Sequence, residues 1–394
     1  MAAPSPATRE VGLATVAREW GRIGCIGFGG PPAHIALLRR LCVDERGWLD
    51  PHDFEDAVAA CNLLPGPAST QLAIYCASRV AGRAGALVGG LGFIVPAVVL
   101  IILLSILFFG SSPPVWVRGA GAGAGAAVAA VAVRAAVDLA RPSLARAAVP
   151  PRWFAYAVLG GASAATIGPY LVLVLLGCGL VELGIAGGLG SRARAHGWAP
   201  VAAPVAAPAV AAVASAGGLG ALAWVAFKVG ALSYGGGFVI IPLMQGDAVR
   251  TYHWMTSSQF LDAVALGQIT PGPVVATVAA VGYAAHGVGG GALAALVAFL
   301  PSFAFVLIGG RHFEQIRTNP RAQAFLGGAG PAAIGAILGA SIPLAAALRE
   351  TWQFVLLGVA AVALLVARRG IVVTLVGAGI VGAVLGLAGA PVPR

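Results

Sequence analysis

The chain has 394 residues, 59% of them apolar and 10% charged, with a mean hydropathy of +0.91. Ordinary soluble domains carry about a quarter charged residues, so a water-soluble enzyme is excluded and a membrane protein is expected. The net charge of +10 comes from arginines spread over short loops without an aromatic-studded basic face, which sets nucleic acid aside and fits the orientation of membrane segments.

The opening MAAPSPATRE lacks a basic stretch followed by an apolar core, so no cleavable signal peptide is expected. Six apolar segments follow, at about 12–30, 51–80, 84–109, 117–140, 153–168 and 170–189. Residues 191–218 are rich in proline and alanine and read as a connector. A second set of six then runs at about 219–236, 257–285, 289–309, 323–347, 353–367 and 371–389. Several segments approach or exceed the ~20 apolar residues that cross a bilayer.

The two sets are copies of one segment. A constant shift of 206 aligns residues 24–99 with 230–305, matching Gly24 with Gly230, Trp48 with Trp254 and Phe54 with Phe260. The run Asp56-Ala57-Val58-Ala59 matches Asp262-Ala263-Val264-Ala265, and Pro65-Gly66-Pro67 matches Pro271-Gly272-Pro273. The expected organisation is residues 1–190 and 219–394 as two homologous halves joined by 191–218. Duplicated, helix-broken membrane proteins are commonly secondary transporters, with the substrate held where the halves meet.

The second segment of each half starts with clear helix signals. Asp50-Pro51 supplies a capping acid and a proline at the first helical position. Thr256-Ser257-Ser258-Gln259 is a capping box. Each helix then meets Pro-Gly-Pro, which removes donors and turns the chain. Half-helices 51–63 and 67–80, and their mates 257–269 and 273–285, are expected, each about 20 Å long and too short to span alone.

Loop arginines set the orientation. In the first half they favour the loops after the second and fourth segments (Arg79, Arg83, Arg141, Arg146, Arg152) over the other pair (Arg118). In the second half Arg349 stands alone in the first pair, against Arg311, Arg317, Arg321, Arg368 and Arg369 in the other. Basic loops stay cytoplasmic, so the halves should be antiparallel. The expected fold is an all-α polytopic membrane protein of two homologous halves in inverted topology. It has about ten transmembrane helices plus two PGP-broken re-entrant helical hairpins.

Candidate binding residues gather at the breaks. Arg22 and Lys228 are equivalent positions in the first helix of each half, and Lys228 is the only lysine. A cation at bilayer depth costs roughly 2.5–3.5 kcal/mol, so two of them facing one chamber would suit a dianion, with snorkelling or pairing to Glu19 as the alternative. Helices starting at Pro67 and Pro273 present free N–H groups and a positive dipole end, which bind oxyanions. Asn62, Ser69, Thr70 and Gln71 flank the first turn (Pro65, Gly66, Pro67). Gln268, Thr270 and Thr277 flank the second (Pro271, Gly272, Pro273). The glycine turns, Phe28-Gly29-Gly30 and Tyr234-Gly235-Gly236, permit close backbone approach to a helix or a ligand. His34 could shuttle protons, and Asp56 and Asp262 could relay protons or cap helices. No GxxxxGK[ST] occurs, which argues against ATP. The five cysteines form no CxxC pair or metal spacing, so no metal, cofactor or catalytic site is expected.

The stretches FGGPPAHIALLRR, GWLD and NLLPGPASTQLAIY, with FKVGALSYGGGFVIIPL and QITPGP in the second half, resemble the chromate ion transporter family in its long, two-domain form. The resemblance implies efflux of chromate from the bacterial cytoplasm across the inner membrane, driven by the membrane potential or proton gradient. It also implies that Phe28, Gly29, Gly30, Pro31, His34, Asn62, Pro65, Gly66, Pro67, Thr70 and Gln71 lie in signature motifs. Arg22 departs from the lysine common in these proteins, and an arginine there changes the geometry of any contact. The expected partners are chromate or a similar dianion, the lipid bilayer and a second copy of the chain. Sulfate permease and passive anion channel are the alternatives.

Overall fold

A computed structural model describes residues 11–63, 66–147, 149–166, 171–189, 218–233, 237–309 and 319–393. All regular structure among them is helical. The first half contributes α1 (Leu13–Ile26), α2 (Pro31–Arg39, continued by a π-turn Arg40–Glu45), α3 (Pro51–Leu63), α4 (Ala68–Phe109), α5 (Val115–Ala145), α6 (Pro150–Thr166) and α7 (Leu171–Leu189). The second contributes α8 (Gly218–Leu232), α9 (Ile240–Gln245, continued by a π-turn Gly246–Thr251), α10 (Ser257–Ile269) and α11 (Val278–Gly309, preceded by a 3-10 turn Val274–Thr277). It ends with α12 (Pro320–Ala346), α13 (Thr351–Ala361, continued by Val362–Val366) and α14 (Ile371–Leu387). Each helix has its mate seven places later. Residues 191–217 of the expected connector lie outside the described residues, as do Pro65, Tyr234, Gly235, Gly236, Arg311, Arg317 and the Asn62 side chain.

Both α4 and α11 fold back on themselves. The first bends at Ala81 (φ −141°, ψ 29°) and Gly82 (φ 64°, ψ −157°), the second at His286 (φ −146°, ψ 33°) and Gly287 (φ 62°, ψ −155°). Only glycine occupies that region without strain, which fixes the turn at these two positions. Past the bend, Gly89 and Gly90 pack against Ala77 and Ile74, and Gly291 against Ala279. Each helix is therefore an antiparallel pair of limbs, 68–80 with 83–109 and 274–285 with 288–309. The expected gap-free shift of 206 is corrected here. Gly82 pairs with Gly287 and Pro96 with Pro301, a shift of 205. The second half is one residue shorter where the 3-10 turn, which rises more per residue than an α-helix, opens the limb.

Two hairpins begin each half. Asp53 near the start of α3 lies 3.6 Å from Arg79 at the end of the first α4 limb, so the chain enters and leaves the PGP turn on one side, as expected. The first segment behaves differently from a simple span over 12–30. Helix α1 stops at Gly27, and α2 returns beside it. His34 Nε2 donates to Gly27 O at 2.8 Å, Arg46 reaches Glu19 at 2.9 Å, and Trp48 stacks on Trp20 with centroids 6.2 Å apart. Gly29 (φ 102°) and Gly30 (φ 72°) make that reversal. Trp20 Nε1 donates to Ala73 O at 2.8 Å, tying the first hairpin to the second.

The halves interlock and run in opposite directions. Gln353 Nε2 donates to Ala122 O at 3.1 Å and Arg134 to Leu364 O at 2.6 Å, so α13 runs parallel to α5. Along α14, Gly386, Gly382 and Ala378 meet Val115, Gly119 and Gly123 in turn, so α14 runs against α5. A four-residue link reverses the chain between α12 and α13. Thus α12 opposes its mate α5, and the topology is inverted. The fifth helix of each half packs on the last two helices of the other half, α5 on α13 and α14, α12 on α6 and α7. Glycine and alanine dominate these contacts, Gly160 against Ala332 and Gly335 against Ala157, as expected where lipid removes the hydrophobic drive and close packing must supply the attraction. Among the described residues four helices, α4, α5, α12 and Val274–Ile308, are long and apolar enough to cross a membrane, with shorter apolar helices beside them.

One end of the bundle carries Arg79, Arg83, Arg141, Arg146, Arg152, Arg321, Arg368 and Arg369; the other carries Arg118, Arg250 and Arg349. Arg250 donates to Thr166 O at the end of α6, confirming which helix ends share the second face. The first end is the more basic, the distribution expected of a cytoplasmic face.

The packing symmetry is broken at the third helix of each half. Helix α10 packs on α5 and α14, whereas its mate α3 packs on α4 and stands away from α12 and α7. Ala59 and Glu55 of α3 are exposed where Ala265 and Leu261 of α10 are buried.

Candidate functional site

The halves touch at their turns. Gly272 N–H of the second PGP turn donates to Gly27 O of the first glycine turn at 2.9 Å. On the other side of the pseudo-twofold axis, Gly66 sits against Gly230 O. Gly66 (φ 112°) and Gly272 (φ 99°) both need the left-handed conformation. A methyl group on Gly272 would lie 2.7 Å from Ala97 Cβ.

A crevice of about 10 Å³ opens beside this contact, lined by Gly29, Gly30, Phe238, Gln268, Thr270, Gly272, Ile371 and Val372 among others. It brings together Gly29, Gly30, Gln268, Thr270 and Gly272, expected on sequence grounds from two different halves. Gln268 is buried, and its Nε2 donor has no partner. Thr270 is buried too, its hydroxyl 3.4 Å from Gly267 O. Three helical starts surround the crevice: α2 at Gly30, the 3-10 turn at Pro273, and α14 at Gly370. None receives a side-chain cap. By contrast α10, α12 and α13 are capped by Thr256, Asn319 and Glu350. Pro31 and Pro32 leave the first turn of α2 short of donors, but the uncapped N–H groups and positive dipole ends at the other two starts suit an oxyanion.

Ser69, Thr70 and Gln71 are buried in the first turn of α4, whose cap position is Pro67 and which also lacks a side-chain cap. Thr70 Oγ1 has no partner, and the Gln71 carboxamide lies over Gly66. His34 is buried against Phe93, ring centroids 5.0 Å apart, with Nδ1 unpartnered. Phe28 is exposed beside the glycine turn. Thr277 closes onto its own turn, donating to Val274 O at 2.7 Å.

Neither expected cation offers a free charge to the crevice. Arg22 is exposed, on the face of α1 opposite Gly21 and Gly24, which pack on α4. Lys228 is buried as expected, but it is paired with Asp247 of the π-turn after α9. Asp247 has no acidic mate in the first half, where the equivalent residue is Leu41, so the repeat could not reveal the pair. The pair joins α8 to the returning chain, as Glu19 and Arg46 join α1 to its own.

Two features escaped the sequence reading. Ser233, buried with Oγ unpartnered beside Gly237, holds the place of Gly27 in the second half; the 206 shift could have found it. Ile371 and Val372 reach the crevice from a distant helix, preceded by exposed Arg368 and Arg369, and no local pattern marks them. Among the described residues no cluster of three or more His, Cys, Asp or Glu side chains is placed to hold a metal.

A sequence model of the family described as "Chromate transporter" matches residues 14–183 and 220–384, one region in each half. A "Chromate transport protein" of Cupriavidus metallidurans is 32% identical over 333 residues, covering 82% of this chain and 80% of the relative. One from Pseudomonas aeruginosa is 32% identical over 377 residues, covering 92% and 89%. A "Probable chromate transport protein" of Synechococcus elongatus is 29% identical over 327 residues, covering 82% of each. No solved structure matches. Matched over both copies of its duplicated segment and over most of its length, the chain belongs to the chromate transporter family.

Proposed function

We propose that this protein is a secondary active exporter of chromate in the bacterial cytoplasmic membrane. The observation that carries the reading is the crevice where a glycine turn of one half meets the PGP turn of the other. It is lined by an unpartnered carboxamide donor and ringed by uncapped helix starts. A tetrahedral dianion supplies the acceptors these groups lack. The crevice has room for about one water molecule, so loading requires it to widen, which is the behaviour of a closing transporter site rather than an open pore. Arg368 and Arg369, exposed on the cytoplasmic side of α14, provide a positive approach to it.

Because each half packs through the other's last helices, the two halves do not rock as separate blocks. The moving parts in this reading are the paired hairpins α3 with the first α4 limb and α10 with its own partner. Helix α3 of the first stands away from α12 and α7, whereas α10 of the second is docked on α5 and α14, a geometry in which the cytoplasmic side is the looser one. Exchanging these two arrangements between the repeats gives the opposite-facing state.

The test is uptake of chromate into inside-out membrane vesicles, with and without an uncoupler. Export predicts accumulation that collapses when the gradient is removed. Uptake indifferent to the gradient supports a passive channel instead. Sulfate offers the same acceptors, and its ability to compete in the same vesicles measures how far the site discriminates.

A further inference from the structure

We propose that Asp262 is the carboxyl that carries the coupled proton; the assignment rests on the exporter reading above and adds its coupling residue. Asp262 is the sixth residue of α10, whose first turn is already capped by Thr256 and Gln259. Helix capping therefore does not account for it. Its carboxyl lies on the bare backbone of α5. A methyl group added at Gly121 would sit 2.8 Å from Oδ1 and 2.9 Å from Oδ2, and one at Gly125 would be 3.3 Å from Oδ1. Oδ1 is buried and has no hydrogen-bond partner. A carboxylate whose Oδ1 lies on backbone without a donor or counter-charge beside it is disfavoured, and the neutral acid is the form this contact favours.

The surroundings supply a partner for the other form. Arg118 stands three residues before Gly121 and seven before Gly125, on the same face of α5. Its Nε is also buried and without a partner. Among the described residues the other elements against α10 carry no competing free charge near this face. Helix α14, the 3-10 turn and α9 have no titratable side chain. Asp247 on the π-turn is engaged by Lys228, while Arg250 reaches Thr166 O. Helix α11 brings Tyr283 and His286, and α4 brings Tyr75, Cys76, Arg79 and Arg83, the arginines at the opposite, cytoplasmic end. When α10 lifts from α5, Asp262 can release its proton and meet Arg118.

The repeat gives the same residue in a different packing environment. Asp56, the mate of Asp262, lies on the undocked α3, with one oxygen 3.2 Å from His52 Nδ1 and its side chain 35% exposed. One acid lies against α5 near the external end while its mate, on α3, stands away from α12 near the cytoplasmic end. Exchanging the two arrangements exposes Asp262 and covers Asp56, so protonation and release follow the conformational cycle. The proton moves from external water to the Asp262 carboxylate and leaves to water; no bond other than O–H forms or breaks.

The experiment uses the full chain in inside-out vesicles, with the electrical potential clamped and a pH gradient, lumen acid, imposed. For one proton exchanged per anion, each pH unit raises chromate accumulation about tenfold at equilibrium. Asp262→Asn is expected to lose that response while still exchanging external for internal chromate at equal concentrations. Asp262→Glu should keep the response with its pH profile shifted. An unchanged pH response in Asp262→Asn overturns the assignment. Loss of exchange in both variants overturns it too, since the residue is then structural. Wild-type vesicles that take up no chromate refute the exporter reading itself, which is a separate result.

Discussion

Replacing Lys228 by methionine tests whether its ammonium holds the fold or the anion. Lys228 and Asp247 side chains are each 7% exposed and paired. Removing the cation leaves a buried, uncompensated carboxylate, which costs about 3–5 kcal/mol. An exposed pair such as Arg40 with Glu45, with side chains 70% and 44% exposed, is worth about 0–1 kcal/mol. Against a total stability of about 5–15 kcal/mol, Lys228→Met should sharply lower the thermal midpoint of detergent-purified protein and the amount recovered. The double variant Lys228→Met with Asp247→Leu removes both charges, and such replacements of a buried pair are often neutral. It should recover most of the stability and retain chromate transport in vesicles. If the single variant is as stable as wild type, the pair is not desolvated as described. A double variant that is stable but inactive would place the ammonium on the anion.

Gly272→Ala should insert into the membrane yet lose most chromate transport, because it strains a φ of 99° and drives a methyl toward Ala97. Gly82→Ala strains the backbone by about 1–3 kcal/mol but meets open space, so it should lower stability while transport per folded molecule persists. A single cysteine at Ala59 should react with a polar maleimide added from the cytoplasmic side, while one at Ala265, 2% exposed, should be protected. Equal labelling of the two would remove the asymmetry between α3 and α10.

Most of the scaffold was legible in the sequence because its determinants are local and duplicated. The PGP turns, the Thr256 capping box and the loop arginines each state their own structural consequence. The glycine turn was legible as a close approach but not as a reversal. Residues 12–30 look continuous in hydropathy, and only the contacts of Arg46, Trp48 and His34 with α1 reveal the return of α2. The missing residue between the PGP turn and the bend was hidden because Gly85-Ala86-Leu87 and Phe93 match Gly291-Ala292-Leu293 and Phe299 at the uncorrected shift. At the site, Gln268 and Thr270 were found because they flank a visible break. Lys228 was found for its rarity and assigned a free charge. Its partner Asp247 stands opposite Leu41 in the repeat, so symmetry pointed away from it. The crevice contribution of Ile371 and Val372 depends on interlocking of the halves, which no local pattern encodes.

Chromium itself provides the most direct measurement of where the anion sits. Crystals of the protein with chromate, recorded at the chromium absorption edge, should show an anomalous peak between the Gly29-Gly30 turn and residues Gln268 to Gly272, within hydrogen-bonding reach of the Gln268 carboxamide. A peak beside Arg22 at the outer face of α1, or beside Lys228 with Asp247 displaced and the crevice empty, would contradict the account.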